Sequence, residues 1–342
     1  MSDTLSPVKG HEREIFMDIL RGFAILGIFI ANLDAFVWWD FVKPGASGPM
    51  LFPVWDERML FLHHVFIEGK FYSIFSFLFG WGVSLQIIRA QAQGLKYVRR
   101  RLAVMLLLGA MHLLLWPGDI VFLYAMLGFV LLLFRKFSNK TILTTGILLV
   151  ISPILLYALK MWSPVFNAPS AFLYDIGAKA DEKLIGVTGE ESFQNYIRTT
   201  GWWGLFKGDL SGFFYRYGDL FFQSRISKVL GMMLIGMYVG RTHFYKNIAE
   251  HKKLLFYIIA FAIVIALPAN YMLAKYMAMH DGSYPSLKIN GLYRTIAYAV
   301  GVAPLAAGYI AVFMLLFQTT RFKKTMSWLA PVGKMAFTNY IT

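Results

Sequence analysis

Residues 15–36 read IFMDILRGFAILGIFIANLDAF, and that stretch decides what kind of fold the chain adopts. It is an apolar run about as long as the ~20 residues a helix needs to cross a hydrocarbon core. It also carries Asp18, Arg21 and Asn32 inside the run. Runs of similar length recur along the chain, and we place spans at 15–36, 60–88, 101–116, 119–135, 141–160, 226–240, 254–276, 293–317 and 327–342, nine in all. Over 342 residues the chain is 58% hydrophobic, with a mean hydropathy of +0.56, whereas soluble domains are about 45–50% apolar. One soluble core cannot absorb that excess. The expected fold is therefore all-α, a polytopic transmembrane helix bundle forming a single integral membrane domain over residues 1–342.

Cysteine is absent, which excludes disulfides, cysteine-ligated zinc, thiol nucleophiles and iron–sulfur clusters. Chemistry must come from histidines, carboxylates, hydroxyls or a bound cofactor. The formal charge of +14 sits in short loops, so topology explains it and no nucleic-acid partner is expected. Residues 1–14 are of mixed charge, and the first apolar run holds Asp18 and Arg21 with no small-residue cleavage site after it, so it reads as a retained span, not a signal peptide.

The loops test the span count. Arg89, Lys96, Arg99, Arg100 and Arg101 follow span two; Arg135, Lys136 and Lys140 follow span four; Arg241, Lys246, Lys252 and Lys253 follow span six; Arg321, Lys323 and Lys324 follow span eight. The opposite connections are acidic (Asp40, Asp56, Glu57), very short (Pro117, Gly118) or mixed (161–225). Alternation of this kind puts the N-terminus in the cytoplasm of a multi-pass protein of the cell (inner) membrane. The segment 161–225, with the aromatic run GWWGLFKGDLSGFFYRYGDLFFQ, is expected to be an extracytoplasmic or interfacial insertion.

Ionisable residues within spans cost ~2.5–3.5 kcal/mol each on insertion scales and so face a bundle interior or a cavity. Asp18, Arg21 and Asn32 fall close to whole helical turns, giving one stripe about 21 Å long. The alternative is an interfacial Asp18–Arg21 pair with Asn32 as interhelical glue. Arg101 and His112 share a face of span three; Pro117 and Gly118 force a reversal; Asp119 follows as an N-cap for span four, with Tyr124 just over one turn on. His112 near Asp119 has the makings of a general base with an orienting carboxylate, or of a merely capped hairpin. In span two, His64 and Glu68 are i,i+4 neighbours beside Lys70. They form a second candidate base, or half a metal site; with only two ligands visible, no metal is expected. Gly236 with Gly240, and Gly80 with Gly82, read as close helix packing.

Several runs resemble the YeiB-like proteins, the family known as domain of unknown function 418. They are Asp18-Ile19-Leu20-Arg21-Gly22-Phe23-Ala24-Ile25-Leu26-Gly27, Gly69-Lys70-Phe71, Phe75 to Gly80, His112, Gly118-Asp119-Ile120 with Tyr124, and Gly333-Lys334-Met335-Ala336-Phe337-Thr338-Asn339-Tyr340. The likeness covers nearly the whole chain in order. It implies a chain that continues beyond Thr342, as does the apolar run ending there without a cap. More distantly, the Asp–x–x–Arg–Gly opening resembles transmembrane acyltransferases, which move acyl groups from a cytoplasmic donor such as acetyl-CoA to an outer-face sugar. One branch has a catalytic histidine eleven residues after the arginine; Asn32 stands there in this chain. The heparan-α-glucosaminide N-acetyltransferase branch resembles it in having asparagine there and a catalytic histidine in a His–x4–Gly element, the spacing of His64 and Gly69, although the acidic and proline positions that follow in that branch are missing.

Two functions stay open. The first is an acyltransferase with acyl-CoA as co-substrate: Arg21, Arg99, Arg100 and Arg101 near its phosphates, His112 or His64 as base, and a small-molecule or sugar acceptor. The rival is a transporter or permease in which His112 and Asp119 relay protons. A structural or assembly role takes the remainder, and the lipid bilayer and a homo-oligomer are the other expected partners. The sharpest expectation is that Asn32, His64, Glu68, His112, Asp119 and Tyr124 converge on one cavity that also reaches Arg21.

Overall fold

The computed structural model describes residues 15–33, 53–89, 95–186, 190–279 and 287–341. The N-terminal fourteen residues, the acidic connection carrying Asp40 and the tip of the first basic loop lie outside them. Every regular element among the described residues is a helix. Four helices are long and apolar enough to cross a membrane, Glu57–Arg89, Asn139–Trp162, Lys252–Ala278 and Ile289–Leu316. A fifth crossing results if Trp203–Phe222 and Arg225–Arg241, which meet at 71°, are taken together. In the most apolar window of Lys252–Ala278 only 22% of residues are buried within the protein, and Ile263 and Val264 are exposed. Such a surface needs lipid against it, so this is an all-helical membrane protein.

Several expected spans are interrupted, each for a local reason. The second consists of α2 (Pro53–Phe66) and α3 (Lys70–Arg89), separated at Gly69, whose φ of 77° lies in the left-handed region that favours glycine. A Cβ there would also collide with the Tyr298 hydroxyl. The third and fourth form a hairpin of α4 (Lys96–Leu113) and α5 (Val121–Leu133), at 18 and 13 residues both shorter than a full crossing. Beyond α6 (Asn139–Trp162), helices α7 (Ala168–Leu184) and α8 (Glu190–Phe222) pair through the Tyr174 hydroxyl on Asp219 at 2.6 Å and the Tyr215 hydroxyl on Asp181 at 2.8 Å. The seventh span holds a π turn, Ala262–Ala266, between α10 (Lys252–Phe261) and α11 (Leu267–Met279). Pro268 just after it withholds a backbone donor from that turn.

The last expected span, 327–342, is not one helix. After α12 (Ile289–Leu316) and α13 (Thr320–Met326) come two short helices, α14 (Leu329–Lys334) and α15 (Ala336–Ile341), broken at Met335. They dock on α1 (Ile15–Ala31) through glycines: Cβ atoms at Gly22 and Gly333 would run into the Leu329 and Asp18 carbonyls. The most extensively packed pair is α3 with α9 (Arg225–Arg241). Their contacts climb together, Phe77 and Trp81 on Gly236, then Trp81 and Ser84 on Gly240, so the two helices run in the same direction. The glycines serve close packing, as their spacing suggests.

Candidate functional site

The α4–α5 hairpin builds the first corner of the site. Pro117 and Gly118 turn the chain, and Asp119 Oδ1 accepts the Phe122 amide at 2.8 Å, so this carboxylate caps α5 as its position suggests. Its other oxygen, Oδ2, lies 2.8 Å from His112 Nδ1. Asp119 is 1% exposed, which fixes it, and a neutral His112 donating through Nδ1 keeps the Nε2 lone pair for a substrate proton. Tyr340, arriving from α15, stands beside them: its ring centroid is 5.8 Å from that of His112, and its hydroxyl accepts the Ile120 amide at 3.1 Å. Tyr124 is fully buried, 2.6 Å from Ser76 Oγ.

A cavity of about 370 Å³ runs along α3 from Phe75 to Arg89, fourteen residues or about 21 Å of helix. Asp18, Arg21, Arg89 and Arg101 line one end, and Tyr124 and Tyr340 the other. Arg21 Nη1 reaches Asp18 Oδ1 at 3.2 Å, the pair their spacing implies. Gly82 gives that guanidinium room, since a Cβ there would lie 3.1 Å from Arg21 Nη2. The cavity thus joins a cationic end to an aromatic end backed by His112 and Asp119.

The second corner is the break between α2 and α3. His64 Nδ1 lies 2.5 Å from Glu68 Oε2, and the buried Lys70 donates to the His64 carbonyl at 2.6 Å. That ammonium satisfies a carbonyl released by the break, which would otherwise be costly. His63 joins the pair, and the ligand atoms of His63, His64 and Glu68 lie within 4.8 Å of one another. Three donors could hold a cation. However, Lys70 and Arg225 are in electrostatic reach of Glu68, and that positive surrounding opposes a dication. The α8–α9 break is closed in the same manner: Lys160 Nζ donates to the carbonyls of Phe221 at 2.5 Å and Phe222 at 2.8 Å.

The expectation of one cavity for all six residues is therefore corrected. Of the six only Tyr124 lines the main cavity; His112, Asp119, His64, Glu68 and Asn32 do not, although His112 faces the ring of Tyr340 and Asp119 precedes Ile120, two residues that do line it. Asn32 donates to the Ile28 carbonyl at 2.8 Å, at the far end of α1 from Asp18. The basic trio also divides: Arg101 lines the cavity, while Arg99 and Arg100 line a separate shallow groove with Phe129. Their succession along one helix explains it, because neighbouring residues point about 100° apart. The sequence reading missed Arg216, Arg225 and Lys228, which gather at the second corner, and Lys160. The signal was four cations around a segment otherwise dominated by aromatics.

A helical membrane protein with a charged cavity beside a histidine–carboxylate pair is the class these features define. Residues 239–342 match the family described as Protein of unknown function (DUF418). The chain is similar to "Uncharacterized protein YxaH" of Bacillus subtilis (strain 168), 28% identical over 99% of this chain and 81% of that protein. It is likewise similar to "Uncharacterized protein YeiB" of Escherichia coli (strain K12), 28% identical over 96% and 81%. An "Uncharacterized 39.9 kDa protein in amylase 3'region" of Bacillus acidopullulyticus is 34% identical over 47% of this chain and 45% of that one. No solved structure matches. The chain is thus similar to the YeiB-like proteins over nearly its whole length and to the DUF418 family over its last third, as its motifs suggest.

Proposed function

We propose that the protein is a membrane-embedded acyltransferase, moving an acyl group from a cytoplasmic acyl-CoA-like donor to an acceptor at the outer face of the cell membrane. The observation that carries this reading is the cavity joining Arg21, Arg89 and Arg101 to Tyr124 and Tyr340. Guanidinium groups at one end suit donor phosphates through their bidentate forks. The length of the cavity suits an extended thioester arm. At its far end His112 Nε2 takes the proton of an acceptor hydroxyl or amine as that atom attacks the thioester carbonyl; the C–S bond breaks and the thiolate leaves with that proton. Asp119 orients the imidazole and offsets its transient charge. The aromatic screen of Tyr340 keeps water from the same attack.

The matching topology has a cytoplasmic N-terminus and residues 161–225 at the outer side. The common direction of α3 and α9 supports it, since both belong to even-numbered spans. A cysteine introduced at Lys96 should be labelled only after the membrane is permeabilised; labelling from outside intact cells overturns the orientation. Incubating purified protein with labelled acyl-CoA and candidate amine and hydroxyl acceptors should release free CoA in step with acylated product.

The two interrupted helices favour a second reading, a transporter, because broken spans often mark substrate sites in transporters. In that case a labelled solute accumulates in proteoliposomes and no CoA is released.

A further inference from the structure

Helix α4 lies at the periphery of the bundle. Its buried residues, Val98, Leu102, Gly109 and Leu113, are spaced by four, seven and four and so form one stripe. That stripe is turned toward α5, where Leu102 lies against Gly128 and Gly109 against Phe122. On the opposite face Val104, Leu107, Met111 and Leu114 are all exposed. They follow Arg100 by four, seven, eleven and fourteen residues and therefore share its side of the helix. Around Arg100, the residues Lys96, Arg99 and Ala103, with Leu95 and Phe129, line an open groove of about 780 Å³.

The groove is cationic with no counter-charge of its own. No aspartate or glutamate occurs between Glu68 and Asp119, or between Asp119 and Asp175. Among the described residues no salt bridge takes in Lys96, Arg99 or Arg100. The antiparallel register of the hairpin also brings Arg135 and Lys136, which follow α5, to the same end. Positive-inside topology accounts for the sign of these charges but is indifferent to the face they occupy. Here they stand directly above a bare apolar stripe. From Ala103 to Leu114 is eleven residues, about 16 Å of helix, or half of a ~30 Å hydrocarbon core. That is the depth of one leaflet. Beside the cations, the exposed Tyr97 is an aromatic of the kind that sits at headgroup level.

We propose that this groove holds an anionic phospholipid, its phosphate on Lys96, Arg99 and Arg100 and an acyl chain laid along Ala103, Leu107 and Met111. Guanidinium forks suit the phosphodiester oxygens, and the small side chain of Ala103 leaves room for the glycerol between cations and chain. A soluble anion would use the cations and leave the stripe bare. A zwitterionic headgroup brings a cation of its own to the same place and gains less. Only a lipid with net negative charge answers both halves of the groove. Bound there, it braces the helix that carries Arg101 and His112, because α4 packs extensively on α5 and only slightly on α3.

The test uses the intact protein in nanodiscs of phosphatidylcholine, alone or mixed with phosphatidylglycerol, at fixed ionic strength. No acyl donor is present, so the outcome is independent of the transferase reading. We expect phosphatidylglycerol to raise Tm on the order of 3–5 °C and to stay bound after transfer to detergent, as counted by native mass spectrometry. Arg99→Gln combined with Arg100→Gln should abolish both effects. Lys252→Gln combined with Lys253→Gln, an equal loss of exposed charge at the start of α10, should leave both in place. Should the arginine variant fail to fold, Ala103→Glu, which sets a carboxylate among the cations, decides instead. Equal Tm in the two kinds of disc, or a rise that survives loss of both arginines, overturns the site. Glycerol 3-phosphate added to phosphatidylcholine discs should not raise Tm; a rise equal to that given by the lipid would identify a soluble phosphate and overturn the lipid. Dimers cross-linked through Leu107→Cys in both kinds of disc would likewise overturn it, by showing a second copy on this face.

Discussion

His112 meets Asp119 across a tight hairpin, seven residues apart, whereas His64 meets Glu68 across one turn of chain at a helix break. The two pairs have the same chemistry and opposite surroundings. Asp119 is held by the Phe122 amide and commits its free oxygen to the imidazole, and a 370 Å³ cavity ends beside it. Glu68 shares its charge among His64, Lys70 and Arg225, and the nearby void, lined in part by Arg225, is about 10 Å³. A carboxylate divided among cations orients its histidine less and raises its basicity less. A histidine–carboxylate pair therefore becomes a base or a strut according to what else the carboxylate must neutralise.

The largest effect should separate the two pairs directly. His112→Ala should lower acyl transfer 10²- to 10⁴-fold, the usual contribution of a positioned acid–base group, while His64→Ala should cost less than about tenfold. Expression and Tm of both variants check that the fold survives. Transfer that is lost in His64→Ala and kept in His112→Ala would invert the assignment.

The next effect compares the turns that support the pairs. Gly69→Val imposes a β-branched residue at φ 77° and drives a side chain toward Tyr298, so it should cost roughly 2–4 kcal/mol. Gly118→Ala meets only the edge of the Trp116 ring, which can yield, and should cost about 1 kcal/mol. Denaturant midpoints in mild detergent would order the two, and equal losses would show that the break is no more strained than the hairpin.

Smaller differences follow from single hydrogen bonds. Lys160→Met abandons the carbonyls of Phe221 and Phe222 at a buried break, a loss of roughly 2–3 kcal/mol. Tyr340→Phe removes one bond, to the Ile120 amide, and should lower stability by about 1 kcal/mol.

What was legible in the sequence were the features written in short range. Asp18 and Arg21 pair because three residues make nearly one helical turn, and Asp119 caps because a carboxylate after Pro117–Gly118 has free amides just ahead of it. The break at Gly69 was hidden because apolar residues continue on both sides of it and hydrophobicity carries no record of φ. Arg216, Arg225 and Lys228 were hidden differently. Arg216 and Arg225 belong to a segment read as an interfacial insertion, where basic residues need no explanation, and Lys228 to the start of the sixth expected span; the 71° bend between them has no local signature. The return of Tyr340 to Ile120 spans 220 positions, and no local pattern encodes a contact of that range.

That return also sets an order of events in biosynthesis. The hairpin and the first helix enter the membrane early, yet the wall that Gly333, Ala336 and Tyr340 add to the cavity leaves the ribosome more than two hundred residues later. Until then the groove beside Arg21 and Tyr124 stands open to whatever lipid or chaperone is at hand. A chain halted before this segment should be inserted yet unclosed, a natural target for the membrane proteases that survey unfinished bundles.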